Sequence, residues 1–102
     1  MTAPVVITLR CGEGVQLGDM RMMVCSMDAE GLEVMRSSAR SSAVFSLSGY
    51  VQLGVSADGG RRAGRAGVTV REVSGGRARL VIEAPEWCEV RRIKRGEGDD
   101  GG

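Results

Sequence analysis

The chain has 102 residues, a formal net charge of +1 and no histidine. That length suits one domain. The near-neutral total excludes a chain that is polybasic throughout, and the lack of histidine removes Ser-His-Asp and Cys-His catalysis and histidine-ligated metal sites. Sixteen glycines, two prolines and a single Trp, Tyr and Phe, beside abundant Val, Leu, Met and Ala, point to a thin-cored, turn-rich, all-β chain.

Residues 1–4 form a short lead-in. Val5–Cys11 reads as a strand, with Val5, Ile7, Leu9 and Cys11 on one face and Val6, Thr8 and Arg10 on the other. Gly12-Glu13-Gly14 turns the chain, and Val15–Leu17 is a second strand ended by Gly18-Asp19. Met20–Met27 follows and is apolar on both faces, which favours core packing over an adaptable methionine surface for a partner. Asp28–Gly31 is a hairpin turn and Leu32–Met35 the return strand. Arg36–Ser42 is small and polar, a linker or exposed loop. Ala43–Leu47 and Tyr50–Leu53 are strands around Ser48-Gly49. Ser56–Gly67, SADGGRRAGRAG, reads as a Gly-rich loop.

The stretch from Val68 to Arg92 is the most regular. Val68, Val70 and Val73 lead to the tight connection Ser74-Gly75-Gly76. Ala78, Leu80, Ile82 and Ala84 then alternate with Arg77, Arg79, Val81 and Glu83, a strand with one apolar face. Pro85 closes it, because it cannot donate to a ladder. Cys88 and Val90 open a last run that ends in Arg91, Arg92, Lys94 and Arg95. The tail 96–102, GEGDDGG, has the composition of a disordered acidic segment.

Charge is unevenly distributed: Gly59–Arg95 holds ten Lys/Arg against four acids. Such a half suits a local phosphate-contacting face, or a solvated strand face. Three cysteines without a CxxC, and no recognisable secretory leader, point to a reducing cytoplasm. No apolar run approaches the roughly 20 residues that span a membrane. No carboxylate sits in an apolar setting that would tune a general acid, so the chain is expected to be neither an enzyme nor a metal or cofactor carrier.

Two stretches resemble the carbon storage regulator family of small bacterial RNA-binding translational regulators. VVITLRCGEGVQLGD (5–19) matches the family's opening strand, Gly-Glu, and aliphatic strand ending in Gly-Asp. Val68–Arg92 matches its valine-rich strand, Gly-containing hairpin, Arg-aliphatic pair (Arg79-Leu80), Ala84-Pro85 and Val-x-Arg (Val90, Arg92). Neither match needs a gap. The family folds as an intertwined homodimer in which each subunit's strands complete the other's sheet, so the resemblance implies a small antiparallel β-barrel or sandwich.

The chain also repeats itself. VQLG occurs at Val15–Gly18 and again at Val51–Gly54, preceded by VITLR (6–10) and VFSLS (44–48), and each copy is followed by a strand–turn–strand unit. The chain is therefore read as one all-β domain over 1–95, a single-chain pseudo-dimer of two repeats (about 5–38 and 43–95) joined by a linker at 39–42. The competing organisation is one copy with a long insertion, forming a homodimer.

By resemblance, the ligand is mRNA or a small regulatory RNA. It would be read at GGA-containing single-stranded loops near ribosome-binding sites, with control of translation or mRNA stability as the result. A protein antagonist is a further implied partner. The matching positions are Ile7, Thr8, Leu9 and Arg10 on the first strand, Arg79, and Ala84, Pro85, Val90, Arg91 and Arg92 near the last, with Arg92 foremost. The family has two basic residues in its first strand; here one is Leu9. Arg61, Arg62 and Arg65 on the Gly-rich segment are either phosphate contacts or solvated. Trp87 either stacks on a base or packs. The repeat's second site would pair VFSLS with the end of copy one, where no Ala-Pro and no Val-x-Arg survive, so one RNA site per chain is expected. A weaker resemblance, Arg36-xxx-Arg40 with EVSGG (72–76), is to the PilZ family of cyclic-di-GMP-binding β-barrels. A β-type protein-interaction module is the remaining alternative.

Overall fold

The structure is a computed structural model that describes residues 4–37 and 42–95. Among the described residues it contains nine strands and no helix: β1 (Val5–Leu9), β2 (Gly14–Leu17), β3 (Met20–Asp28), β4 (Gly31–Arg36), β5 (Ser42–Ser46), β6 (Tyr50–Ala57), β7 (Arg62–Ser74), β8 (Arg77–Glu83) and β9 (Val90–Ile93). They form two antiparallel sheets, ordered β1-β8-β7-β6 and β5-β4-β3-β2-β9. The period-two pattern explains the packing between them. Leu9, Val15, Leu17, Met20, Met22, Val24, Val68, Val70, Ala78, Leu80 and Ile82 all turn inward into one buried cluster. Full burial of each Val, Leu or Ile stabilises by about 1.5–3 kcal/mol.

The two halves of the chain interlock. β1 belongs to the first half but pairs with β8, Thr8 opposite Arg79. β5 belongs to the second half but pairs with β4, Val44 opposite Glu33. The registers are related by an internal two-fold. Val15 faces Met22 in the first half, and its counterpart Val51 faces Val68 in the second. Gly12 donates to the Val24 carbonyl at 2.9 Å, and Ser48 donates to the Val70 carbonyl at 2.7 Å. Gly12 and Ser48 both have positive φ, 88° and 65°. Both long strands also carry a bulge at the same place, Cys25 between Val24 and Ser26, and Arg71 between Val70 and Glu72. A bulge inserts one residue and resets the alternation, which is why the inward series runs Val68, Val70, Val73 and Met22, Val24, Met27.

Three sequence expectations change. The repeat aligns two residues earlier than VITLR against VFSLS: the counterpart of VITLR (6–10) is SAVFS (42–46), so that Leu9 and Phe45 are the matching buried residues. The sheet pairings set this register, and VFSLS matched only by chance spacing. Met20–Met27 is buried on one face, with Cys25 exposed and Met23 and Met27 only half-buried.

Ser56–Gly67 is not a loop. β6 and β7 continue as a ladder to Ala57 and Arg62, and only 58–61 turns. Its glycines suggested a loop, but Trp87 and Tyr50 lie over the strand at Gly64 and Gly67: a Cβ at Gly67 would collide with the Tyr50 ring, and one at Gly64 would stand 3.1 Å from Trp87. This extension docks on the β2–β3 turn: Asp19 N–H donates to the Ser56 carbonyl at 2.7 Å, and the Asp19 carboxylate accepts from Ser56 Oγ at 3.1 Å and Gly60 N–H at 3.2 Å. Of the expected linker, only Ser42 lies among the described residues, and it opens β5; the end of repeat one at 38 and the tail 96–102 fall outside them.

Candidate nucleic-acid interface

β1 lies at an edge of one sheet and β9 at an edge of the other. Between them is a groove of about 450 Å³ lined by Thr8, Arg10, Glu13, Arg77 and Arg92. The cations come from three separate pieces of chain, and the fold assembles them. Alternation on β1 sends Leu9 inward and leaves Thr8 exposed, with Arg10 just beyond the strand end. Alternation on β8 buries Ala78 and Leu80 and exposes Arg77 and Arg79. β9 runs antiparallel to β2, which places Arg92 opposite Val15 and near the turn that follows β1.

Glu13 ties this edge together. Its backbone N–H donates to the Arg10 carbonyl at 3.0 Å, and its carbonyl accepts from Val24 N–H at 2.8 Å. Its carboxylate accepts from Arg10 N–H at 2.8 Å and from Arg92 Nη2 at 3.0 Å. Burial pushes the Glu13 carboxyl up, but the Arg10 N–H bond and the Arg92 guanidinium outweigh it and hold the group below its usual 4.5. Arg95 Nη2 donates to the Cys11 carbonyl at 3.0 Å, a second link from the end of β9 to the same turn. Arg92 is thereby oriented over the groove.

A neighbouring groove of about 400 Å³ continues across the outer face of β8 and β7, lined by Thr8, Glu72, Ser74, Gly75, Arg77 and Arg79. Arg79 is ion-paired with Glu72 there. Arg77 makes no ion pair among the described residues. A surface of this kind can hold phosphate groups through guanidinium N–H donors, and the exposed backbone at the β1 and β9 edges can meet base edges.

The expected site residues therefore separate. Thr8, Arg10 and Arg92 line the groove together, and Arg79 lies in the adjoining one. Ile7 is half-buried, and Leu9 is 2% exposed in the core, so Leu9 can contribute only through its backbone. Val90 is half-buried and Arg91 exposed on β9. Ala84 is buried and Pro85 half-buried past the end of β8, where Pro85 and Trp87 lie over Gly64; neither Ala84 nor Pro85 lines the groove. Trp87 packs against the core. Arg61, Arg62 and Arg65 stand on the hairpin extension, outside the groove, with Arg62 paired to Asp58 at 3.5 Å.

Arg77 and Glu13 were not among the expected residues. Arg77 was readable as the first member of the exposed Arg77–Arg79 series, and Glu13 as the acid of the Gly-Glu turn. Among the described residues no group of His, Cys, Asp and Glu could hold a metal ion, and no helix is long and apolar enough to cross a membrane. Comparison with protein-family models, curated proteins and solved structures finds no match for this chain.

Proposed function

We propose that this chain binds RNA at a single-stranded, GGA-containing loop and thereby regulates translation or mRNA stability, in the manner of the carbon storage regulators it resembles. The observation that carries the reading is the convergence of Arg10, Arg77 and Arg92 with Thr8 on one groove between the edges of two sheets. These residues come from both halves of the chain, as they would in a single-chain version of an intertwined dimer. Unpaired, splayed bases are what sequence-specific RNA readers take. Arginines at such a groove hold the phosphates, and Arg92, oriented by Glu13, is the principal one.

The internal two-fold supports a single RNA site per chain. The counterparts of Thr8 and Arg10 are Val44 and Ser46, and the sheet β1-β8-β7-β6 has no fifth strand to match β9 among the described residues. The other pole therefore lacks the basic groove. The PilZ-type alternative gains no support: Arg36 and the Glu72–Gly76 hairpin sit in different sheets, and Arg40 lies outside the described residues.

A gel shift tests the proposal, using a hairpin with GGA in its loop, the same hairpin with the triplet scrambled, and the Arg92→Ala protein. Preference for GGA that vanishes in the variant is the expected result. Equal binding to both hairpins, or none, sinks the reading and makes cyclic-di-GMP the next ligand to test.

A further inference from the structure

The internal two-fold lets one pole of the molecule be judged against the other. At the basic pole β2 is covered by β9, and Gly18 N–H donates to the Glu89 carbonyl at 3.0 Å. That register turns the backbone of Gly14, Gln16 and Gly18 toward β9. The counterparts on β6 are Tyr50, Gln52 and Gly54, and no strand lies beyond β6 among the described residues. Ser56, the next residue in this outward series, is already taken by Asp19. The open edge is therefore the length of one short strand.

Native edge strands are protected by charge, proline or a bulge. Tyr50–Gly54 (YVQLG) has none of these. Instead Tyr50, on the edge itself, is 57% exposed, and Val44 on β5 and Leu47 on the β5–β6 connection are 70% and 40% exposed. The basic residues of the first pole have been replaced as well. The counterpart of Arg79 is Glu33, and that of Arg77 is Gly31. Asp28 and Glu30 lie on the adjoining turn, where Leu47 N–H donates to the Glu30 carbonyl at 2.7 Å. A groove lined by Asp28, Glu30, Glu33 and Val44 lies on the outer face of β3, β4 and β5, the counterpart at this pole of the Arg77–Arg79 groove.

This chemistry selects the occupant. RNA phosphates would meet carboxylates here. A second copy docked through the same pole would set these carboxylates against their own equivalents. The strand that fills the matching slot in the other sheet is Val90-Arg91-Arg92-Ile93, which buries Ile93 and presents arginines outward. We propose that the β6 edge docks an extended segment of a partner protein, aliphatic and Arg/Lys-rich, by strand addition. This inference is independent of the RNA reading.

The test uses the full chain and two synthetic peptides, EVRRIKR, which copies residues 89–95, and EVEEIEE. Binding is followed by calorimetry. Saturable 1:1 binding of the basic peptide is expected, at least tenfold tighter than the acidic one. It should weaken at least tenfold in Gln52→Pro, which removes an outward N–H, and in the surface variant Asp28→Lys/Glu30→Lys, and be unchanged in Arg92→Ala. Four results would overturn the proposal: no saturable binding, equal binding of both peptides, full retention in the two edge variants, or a concentration-dependent dimer that Gln52→Pro abolishes while the peptide fails to bind. The last would make the occupant a second copy.

Discussion

Glu13, in the turn between β1 and β2, holds Arg92 of β9, Arg92 Nη2 donating to Glu13 Oε2 at 3.0 Å while Oε1 of the same carboxylate accepts from Arg10 N–H at 2.8 Å. One half-buried acid thus fixes the turn that follows β1 and the guanidinium carried by β9. These elements come from opposite ends of the chain, and Arg95, just past β9, adds a second link through the Cys11 carbonyl. The pair orients Arg92 toward the groove, and a phosphate entering it must share that guanidinium with Glu13.

The first prediction concerns pH. Burial pushes the Glu13 carboxyl up, and the Arg10 N–H bond and Arg92 charge more than offset it, so the folded pKa lies below 4.5. A carboxyl lowered on folding adds stability above its unfolded pKa and loses it as pH falls through the folded value. Wild type should therefore keep this contribution at neutral pH and shed it as the pH falls from 4.5 through the folded value. Glu13→Gln should be the less stable protein at neutral pH, by about 1 kcal/mol, and should fall less steeply with acid. Thermal melts across that range decide it; parallel acid limbs would refute the assignment.

A second prediction follows from the docked hairpin. Gly18 has φ +60°, and a Cβ there would stand 2.1 Å from the Ser56 carbonyl oxygen. Gly59 has a similar φ of +67° but open space around it. Gly59→Ala should cost only the left-handed penalty, about 1–2 kcal/mol. Gly18→Ala adds a backbone collision that must push the hairpin extension off the β2–β3 turn, and should cost about 3 kcal/mol or more. Denaturant titration of the two variants would measure the difference, and equal costs would mean that the hairpin does not bear on the turn.

The strands with clean alternation were legible in the sequence. Ala78, Leu80 and Ile82 have a single apolar face, and the structure buries all three. The hairpin extension was not, because Gly64 and Gly67 read as loop residues until Trp87 and Tyr50 are seen lying over them. Nor was the register of the second repeat, since SAVFS shares almost no residues with VITLR and only the pairing of Phe45 with Leu32, against Leu9 with Ala78, aligns them. At the site, Arg10 and Arg92 were readable from local motifs. Their meeting with Arg77 depends on β1 crossing to pair with β8, a long-range pairing that no local pattern encodes.

Phe45 offers a third test, of the core that the two halves share. It is 1% exposed and among the largest fully buried side chains. It comes from β5, the strand that the second half contributes to the first half's sheet. Phe45→Ala should cost about 3–5 kcal/mol, because the cavity is only partly refilled. If β5 were a loosely held edge, the loss measured by denaturant unfolding would be near 1 kcal/mol instead.

The fourth prediction separates the groove from the rest of the basic surface. Each guanidinium that neutralises an RNA phosphate releases counterions, and removing it should reduce the slope of log affinity against log salt by about 0.7 for a single strand. Arg77→Ala should show this reduction, although the strand motif around it gives no hint beyond alternation, because it lines the groove with Arg10 and Arg92. Arg62→Ala should leave the slope unchanged: Arg62 stands outside the groove and is engaged by Asp58 at 3.5 Å. Affinities measured over a series of salt concentrations, with one GGA hairpin and the wild-type, Arg77→Ala and Arg62→Ala proteins, give the three slopes. A reduced slope for Arg62→Ala, or none for Arg77→Ala, would move the phosphate path from the β1–β9 groove to the hairpin extension. The same titration carried to saturation at low salt should end at one RNA per chain, since Val44 and Ser46 replace Thr8 and Arg10 at the other pole.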